Sequence, residues 1–408
     1  MEENQSQQIL IPEGWKLNKL DSVCRIKKGV QFNKVELTKS GMYPCINGGI
    51  EPSGWSDLWN TDENTITISE GGNSCGYVNF IETKFWSGGH CYSLLDLRSD
   101  MQNDFLYQAL KGRQNLIMDL RVGSGLPNIQ QKAIKQFEFL SPDNNSEQKK
   151  IATILSKVDE AITQTERHIA KYTRIKTGLM QDLLTKGIDE NGNIRSEETH
   201  EFKDSPLGKI PKEWEYKTLG DNNIIELHNN KRKPISSKDR ANMIGDYPYY
   251  GATGIIDMLN VFRVDGEFVL FGEDGDHFLK WVFQEQTILT NGKFNVSNHA
   301  HIVKGTSKCS TKWIHYFFCH RDITFYLTRQ GAGRFKLNKT SLLSLPILLP
   351  MSKNEQKAII ERIEKVNEYS DNLNLRQNKL QSIKTGLMQD LLSGKVRVNH
   401  LIKETANV

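Results

Sequence analysis

Ten consecutive residues, IKTGLMQDLL, occur twice in this chain of 408 residues, at 175–184 and again at 383–392. A shift of 208 residues aligns Glu147–Leu184 with Glu355–Leu392 without a gap, and 18 of the 38 aligned positions are identical. The identities are concentrated at the two ends of this segment, while its middle differs between the copies. A chain with such a repeat must fold as two related halves, and the ends of the repeated segment carry a function that the halves share.

Each copy of the segment is predicted to form one long helix. Mostly apolar residues, spaced alternately by four and three, run from Ile151 to Leu183 with Thr165 and Lys176 among them. A similar seam runs from Ile359 to Leu391 and includes Ser370, Gln377 and Lys384. Ser352 before Glu355, and Asn144 before Glu147, predict capped helix starts. At about 1.5 Å per residue, each helix is roughly 57 Å long. We expect the two seams to cover each other in an antiparallel coiled coil, which gives the chain a pseudo-twofold axis.

Gly178 and Gly386 lie inside the predicted helices, at equivalent positions. A glycine there costs about 1 kcal/mol relative to alanine, so its presence in both copies predicts the close approach of another element. A tolerated kink near the helix end is the alternative interpretation.

Composition places the chain among ordinary soluble proteins of two or more domains, with 37% hydrophobic and 25% charged residues. We expect a cytoplasmic protein, because no apolar run approaches the ~18 residues of a membrane span and the polar start MEENQSQQ does not resemble a signal peptide. The six cysteines show no C-x-x-C spacing and are predicted to be free and buried. A net charge of +4 permits nucleic-acid binding without requiring it.

The remainder of each half can also be aligned. Residues 11–20, IPEGWKLNKL, recur as IPKEWEYKTL at 210–219, and the matched Trp15 and Trp214 are predicted to anchor an incoming strand in a core. Short β-rich stretches with glycine-rich turns follow, then an aromatic-rich helix pattern and a short apolar strand that leads into the long helix. Residues 185–209 are polar and lack apolar periodicity, which indicates a linker.

Three kinds of motif recur in both halves and are candidate DNA contacts. Basic clusters suit phosphate oxygens, and arginine-flanked R-x-G-x-G loops suit phosphate through their backbone amides. Acid-plus-glycine loops, with the carboxylates of Glu70, Glu273 and Asp274, suit cytosine N4 in a major groove. A solvated basic turn, a glycine C-cap and ordinary hairpin chemistry are the respective alternatives. The candidate residues are Arg25, Lys27, Lys28, Gly71, Gly72, Arg121, Gly123, Gly125, Lys231, Arg232, Lys233, Gly275, Arg329, Gly331, Gly333 and Arg334.

No catalytic or metal site is predicted. The sequence has neither the P-loop pattern of an ATPase nor the Asx-Pro-Pro-aromatic loop expected of an amine methyltransferase. Asp143 and Glu147 superficially resemble a nuclease carboxylate pair, but the other half has Met351 in place of Asp143. His315 and Cys319 have the spacing of metal ligands on a helix, yet Tyr107 and Lys111 stand at the same places in the first half.

Two non-identical halves, each opening with I-P-x-x-W and each followed by a long helix ending in G-L-M-Q-D-L-L, resemble the specificity subunit of a type I restriction-modification enzyme. The resemblance covers essentially the whole chain. It implies an α+β protein in which two mixed α/β target recognition domains, each reading half of a split and asymmetric DNA sequence, are separated by two long helices in an antiparallel coiled coil. The expected segments are recognition domains at 1–146 and 210–354, helices at 147–186 and 355–394, a linker at 187–209 and a tail at 395–408.

The resemblance also implies partners: double-stranded DNA, two methyltransferase subunits and two restriction subunits, with no membrane. S-adenosylmethionine, ATP and Mg²⁺ are then used by the partners, and this chain binds no cofactor and is not a catalyst. Because similar surfaces bind the same protein twice, the repeated helix ends are the predicted partner-binding residues. They are Lys176, Gly178, Leu179, Met180, Lys384, Gly386, Leu387 and Met388.

Base-reading residues are not placed by any motif, so the candidate DNA contacts above are expected to touch phosphate more than bases. The alternative function is a coiled-coil scaffold that assembles partner subunits without reading DNA. A chain that is itself a nuclease or methyltransferase is a third hypothesis, which the missing motifs disfavour.

Overall fold

The computed structural model describes residues 11–404 apart from 34, 36, 124 and 331–333. These residues form two compact units. Unit 1 contains the described residues up to His168 together with those from Leu373 onward, and unit 2 runs from Ile169 to Asn372. Each unit therefore takes the beginning of one long helix and the end of the other.

Unit 1 begins with β-strands, continues through three short helices and one more strand, and then enters the first long helix. Its elements are β1 (Trp15–Lys19), β2 (Arg25–Lys28), β3 (Tyr43–Ile46), β4 (Gly54–Ser56), β5 (Thr65–Ser69), β6 (Val78–Ile81), β7 (Trp86–Ser87), β8 (Cys91–Leu95), α1 (Asn103–Gly112), α2 (Gln114–Met118), α3 (Gln131–Lys135), β9 (Glu138–Pro142) and α4 (Asn145–Thr185), which continues into unit 2.

Unit 2 repeats this plan with additions. Its elements are β10 (Phe202–Ser205), β11 (Gly208–Pro211), β12 (Glu215–Thr218), β13 (Ile225–Leu227), α5 (Ser237–Arg240), β14 (Ile244–Tyr250), β15 (Ile255–Leu259), β16 (Val264–Asp265), β17 (Phe268–Gly272), β18 (Thr287–Thr290), β19 (Lys293–Val296), β20 (Ala300–Gly305), α6 (Thr311–Phe318), β21 (Thr328–Gln330), β22 (Arg334–Lys336), α7 (Lys339–Leu343), β23 (Pro346–Leu349) and α8 (Lys353–Leu391), which returns to unit 1 before α9 (Asn399–Glu404).

The sheets of the two units correspond, except that the second sheet of unit 2 has one strand more, β16. The antiparallel order β2-β8-β5-β6 in unit 1 matches β13-β20-β17-β18 in unit 2. A smaller sheet, β4-β3-β7, matches β15-β14-β19-β16, and each contains one parallel pair. The pair β1-β9 matches β12-β23. The predicted α+β internal repeat is confirmed.

Each unit has its own apolar core, to which the long helices contribute. Trp15 packs with Leu155 and Leu391 in unit 1, and Trp214 packs with Leu183 and Ile359 in unit 2. Both tryptophans are almost fully buried, which confirms that they anchor a strand. In each core, one side chain comes from the start of one long helix and another from the end of the other, so the β-rich part of each unit is built onto the helices rather than tethered to them.

Within each unit the two long helices run antiparallel. In unit 1, the Lys384 ammonium lies 2.5 Å from the Asp159 carboxylate, and the Gln377 amide donates to Glu166 at 3.0 Å. The residue numbers on α8 therefore decrease as those of their partners on α4 increase, which is the pattern of antiparallel helices. In unit 2, the Tyr172 and Tyr369 rings lie 4.3 Å apart. The predicted antiparallel coiled coil is confirmed.

The starts of the long helices are capped, as predicted, and the side-chain oxygen of Asn144 accepts from the Ser146 amide at 2.8 Å. The Ser352 hydroxyl accepts from the Glu355 amide at 3.3 Å. Instead of returning to the cap, the Glu355 carboxylate binds Arg195 at 2.5 Å, and the buried Glu147 carboxylate binds Arg397 at 2.7 and 2.8 Å. Each carboxylate binds an arginine rather than the backbone amide of its cap, because a guanidinium offers two charge-assisted hydrogen bonds, which are stronger than one bond from an amide.

Residues 187–209, predicted to be a linker, make specific contacts in unit 2. Ile188 belongs to the apolar core, Arg195 holds Glu355, and β10 pairs with β11 as a hairpin. By contrast, a Cβ added to Gly178 or Gly386 would meet nothing within 4 Å in the described chain. No intramolecular contact among these residues explains the two helical glycines.

All six cysteines are free and buried, as predicted. Burial raises the pKa of the Cys309 and Cys319 thiols to about 12, so neither is ionised at neutral pH. Among the residues that the structure describes, no helix combines the length and apolar character needed to cross a bilayer.

Candidate nucleic-acid interface

The three sequence motifs, distant along the chain, converge in unit 1. Glu70 follows β5, and its carboxylate lies 2.6 Å from the Lys28 ammonium at the end of β2. The Tyr92 hydroxyl donates to the same carboxylate at 2.8 Å, and the His90 ring lies 3.6 Å away. The Ile129 amide, beyond the R-x-G-x-G loop, donates to the Glu70 carbonyl at 2.8 Å.

Glu70 is only 5% exposed yet remains an ionised group at neutral pH. Burial alone raises the pKa of its carboxyl, but the hydrogen bonds from Lys28 and Tyr92 and the neighbouring positive charge lower the pKa below its ordinary value. One carboxylate oxygen, Oε2, is buried without a hydrogen-bond partner. The positive charge of Lys28 is therefore partly neutralised by Glu70, which weakens the attraction of this side chain for a phosphate group.

Unit 2 builds the same cluster with different side chains. Glu273 follows β17, and its carboxylate lies 2.6 Å from Arg232 and 3.4 Å from Lys336. The His299 ring pairs with the neighbouring Asp274 at 2.9 Å. The Leu337 amide donates to the Glu273 carbonyl at 2.8 Å, repeating the bond that Ile129 makes in unit 1.

Strand register shows which residues are equivalent. Ser69 pairs with Cys91, and Gly272 pairs with Ala300, so Glu70, His90 and Tyr92 correspond to Glu273, His299 and His301. Lys28 pairs with Tyr92 across β2 and β8, and the equivalent position after β13 is Asn229.

The basic clusters recur in both halves, but they do not occupy equivalent strand positions. Lys231, Arg232 and Lys233 lie two to four residues beyond Asn229, in and just after a short 3-10 turn. Arg232 nevertheless reaches the Glu273 carboxylate, which is the counterpart of the Glu70 carboxylate that Lys28 binds in unit 1.

The remaining basic candidates lie at the surface. Arg25 pairs with Asp96 at 2.5 Å while its side chain stays 55% exposed, and Lys27 and Lys233 are exposed. Arg121 and Arg334 are exposed on the R-x-G-x-G loops, and the Arg329 guanidinium lies 4.9 Å from the centre of the Phe335 ring. These side chains stay predicted phosphate contacts.

The glycine candidates form tight turns. The Gly72 amide donates to Pro127 at 3.0 Å, and the Gly275 amide donates to Phe335 at 3.2 Å, so both amides are used within the chain. Gly71 forms an isolated bridge with Asn128, which ties the acid-plus-glycine loop to the R-x-G-x-G loop.

Gly123 adopts a φ of +94°, four or more residues beyond the end of α2 at Met118, so it does not cap that helix. It lies in a turn closed by Val122 and Asn128, and β21 and β22 form the matching hairpin in unit 2. A Cβ on Gly125 would meet nothing within 4 Å. Gly331 and Gly333 lie outside the described residues.

Two lysine–aromatic pairs were not recognised from the sequence. The Lys84 ammonium lies 4.1 Å above the Trp59 ring, and the Lys293 ammonium lies 4.6 Å above the Phe262 ring. Thr61 forms a β-bridge with Phe85 in unit 1, and Val264 pairs with Phe294 in unit 2. By this register, Lys84 is equivalent to Lys293 and Trp59 is equivalent to Phe262. Both rings are 41% exposed. An exposed ring beside a cation suits a nucleic-acid strand, but only strand register could reveal the pairing, since insertions separate these residues in sequence.

The predicted partner-binding residues divide into buried and open ones. Met180, Leu179, Leu387 and Met388 pack on the cores of their own units, and Lys384 is paired with Asp159. Lys176 is half-buried, and Gly178 and Gly386 face open space. The exposed members of the repeated motif that the prediction missed are Ile175, Thr177, Gln181, Ile383, Thr385 and Gln389.

Comparison with known proteins accounts for this duplicated architecture. The family model for the type I restriction modification DNA specificity domain matches residues 12–172 and, a second time, residues 211–384. The chain belongs to the type I restriction-modification DNA specificity family.

Individual members of the family are also similar. The specificity subunit is 34% identical over 242 residues to one from Mycoplasma genitalium, an alignment that spans 58% of each chain. It is 28% identical over 343 residues to one from Mycoplasma pneumoniae, with 82% of each chain covered. The crystal structure of a type I S subunit from M. genitalium shares the fold, with a TM-score of 0.67 and 21% identity over 95% of this chain and 97% of that one.

Proposed function

We propose that this specificity subunit reads a bipartite, asymmetric DNA site, with one recognition domain on each half. The observation that carries the proposal is the pair of clusters around Glu70 and Glu273, two glutamates at equivalent strand positions in two domains whose other side chains differ. A shared scaffold with different surface side chains suits two half-sites that share a backbone but differ in base sequence.

The long helices set the spacing between the half-sites and dock two copies of a methyltransferase subunit. The exposed, identical residues at both helix ends support the second role, because a duplicated surface binds one kind of partner twice. Two restriction subunits complete the assembly. The partners supply the sites for S-adenosylmethionine, ATP and Mg²⁺, and this chain supplies no catalytic residue.

Lengthening the helix pair tests the proposal. One heptad inserted into each helix, at the facing residues Glu166 and Gln377, adds about 10 Å along the axis, roughly three base pairs of DNA. Methylome sequencing should then find a spacer longer by that amount and unchanged half-sequences. The control inserts seven residues at the exposed turn Glu190–Asn191, which should leave the spacer as it is. Changed half-sequences with an unchanged spacer contradict the proposal.

A further inference from the structure

Unit 2 carries an apolar segment that unit 1 lacks. Residues 273–286 connect β17 to β18, whereas the shorter stretch 70–77 connects β5 to β6. The longer connection presents Trp281, Val282 and Phe283, of which Val282 is 55% and Phe283 90% exposed. Adjacent exposed apolar side chains of this size are costly to leave in water and are typical of an interaction surface.

These side chains line an open groove of about 570 Å³. Met180 and Leu184 at the end of α4 also line it, as do Tyr316 and Phe317 of α6. The charged and polar side chains that line it are Lys176, His320, Arg321 and Asp322. The groove therefore fits an apolar side chain with an acidic neighbour.

The equivalent place in unit 1 is closed. Under the 208-residue shift, Gly112 stands where unit 2 has His320, and Leu392 stands where it has Leu184. A Cβ on Gly112 would lie 2.9 Å from Leu392 Cδ1 and 3.2 Å from Met388 Cε, so this helix packs directly on α8. The glycine lets the two helices touch and leaves no room between them.

The groove borders the repeated motif. Thr177 and Gln181 line it, and both are exposed and identical to Thr385 and Gln389 of the other copy. Their identity cannot come from core packing, so it points to one kind of partner that contacts both helix ends.

We propose that the groove is an additional anchoring contact for one of the two methyltransferase subunits, so that the copy at unit 2 binds more tightly than the copy at unit 1. The inference rests on the proposed function, because it requires that partner. A buried phenylalanine at the centre of such a contact gives roughly a tenfold difference or more between the two binding constants.

The test titrates the purified full chain with its cognate methyltransferase subunit and follows the one-to-one and two-to-one complexes by native mass spectrometry. The wild-type chain should populate the one-to-one complex first. Phe283→Ser should bring the two affinities together by weakening the tighter one. Phe325→Ser, at a residue that is 91% exposed in the same unit but outside the groove, should change neither.

Equal affinities in the wild type, or a Phe283→Ser chain that keeps the difference, would overturn the inference and leave the proposed function intact. Loss of DNA affinity with unchanged partner affinities would also overturn it and would assign the groove to DNA. A wild-type chain that binds no methyltransferase subunit would remove the proposed function as well.

Discussion

Replacing Glu147 with glutamine tests how strongly the start of α4 depends on the arginine that follows α8. The Glu147 carboxylate is fully buried and accepts from Arg397 Nε at 2.7 Å and Nη2 at 2.8 Å. Arg397 also donates to the Glu13 carbonyl at 2.6 Å, which ties the chain beyond α8 to the beginning of unit 1. Glutamine keeps the shape of the side chain but removes its charge.

The expected loss of stability follows from the different exposure of the two partners, Glu147 and Arg397. Breaking a buried ion pair costs about 3–5 kcal/mol when the remaining charge stays buried. Here the Arg397 side chain is 33% exposed and recovers part of its hydration, so we expect a loss of about 2–3 kcal/mol in the free energy of unfolding of unit 1. At roughly 2–4 °C per kcal/mol for a unit of this size, the melting temperature should fall by about 4–12 °C.

Urea denaturation measures the loss, and hydrogen exchange at the amides of 144–151 locates it. A double-mutant cycle with Arg397→Gln should give a coupling energy above about 1 kcal/mol. Glu361→Gln is the control, since that side chain is 54% exposed and lies 3.8 Å from Lys357, and it should cost less than about 0.5 kcal/mol. If Glu147→Gln costs no more than the control, the pairing does not stabilise the helix start.

Three further predictions address the core, the DNA and the helix ends. Burial lowers the pKa of His315 from 6.5 to about 4, so as the pH falls the unfolded chain takes up a proton before the folded chain does. The contribution of His315 to the free energy of unfolding is therefore fully present above pH 6.5 and falls by about 3 kcal/mol as the pH drops to 4. Denaturation of the His315→Asn variant across that range should not show this loss. Lys84→Ala together with Lys293→Ala should weaken cognate and random duplex equally and reduce the slope of log affinity against log salt by about 1–2, whereas a loss confined to cognate DNA would mean base reading. Gly178→Ala and Gly386→Ala should each stabilise the isolated chain by up to about 1 kcal/mol, because nothing lies within 4 Å of the new methyl group, yet weaken methyltransferase binding in a pull-down; unchanged binding would favour the kink interpretation.

The long helices were predictable because their signals are local. Apolar spacing and capping residues at Ser352 and Asn144 are properties of neighbouring residues, and the helices begin within two residues of the predicted positions 147 and 355. The antiparallel pairing also follows from the sequence, since two similar seams in one chain have few ways to be covered.

The roles of Glu147 and Glu355 were not predictable in the same way. Their arginines lie 250 and 160 residues away in sequence and do not align under the 208-residue shift. The segment that contains Arg195 is polar and without period, so nothing local distinguishes it from a solvated linker.

The features of the candidate interface divide in the same way, into those that are encoded locally in the sequence and those that depend on tertiary contacts. From the sequence alone came the duplication, the helix pair, the family resemblance and the residue types of the three motifs, because each is encoded in order and spacing. The tertiary structure decided that Lys28 and Arg232 meet equivalent glutamates and that Lys84 and Lys293 cover equivalent rings. It also decided that, among the described residues, the groove beside the end of α4 is open in unit 2, while Gly112 packs against the end of α8 at the equivalent place in unit 1. Those relations depend on strand register and on insertions that shift the numbering, and side chains that touch across a sheet leave no periodic trace along the chain.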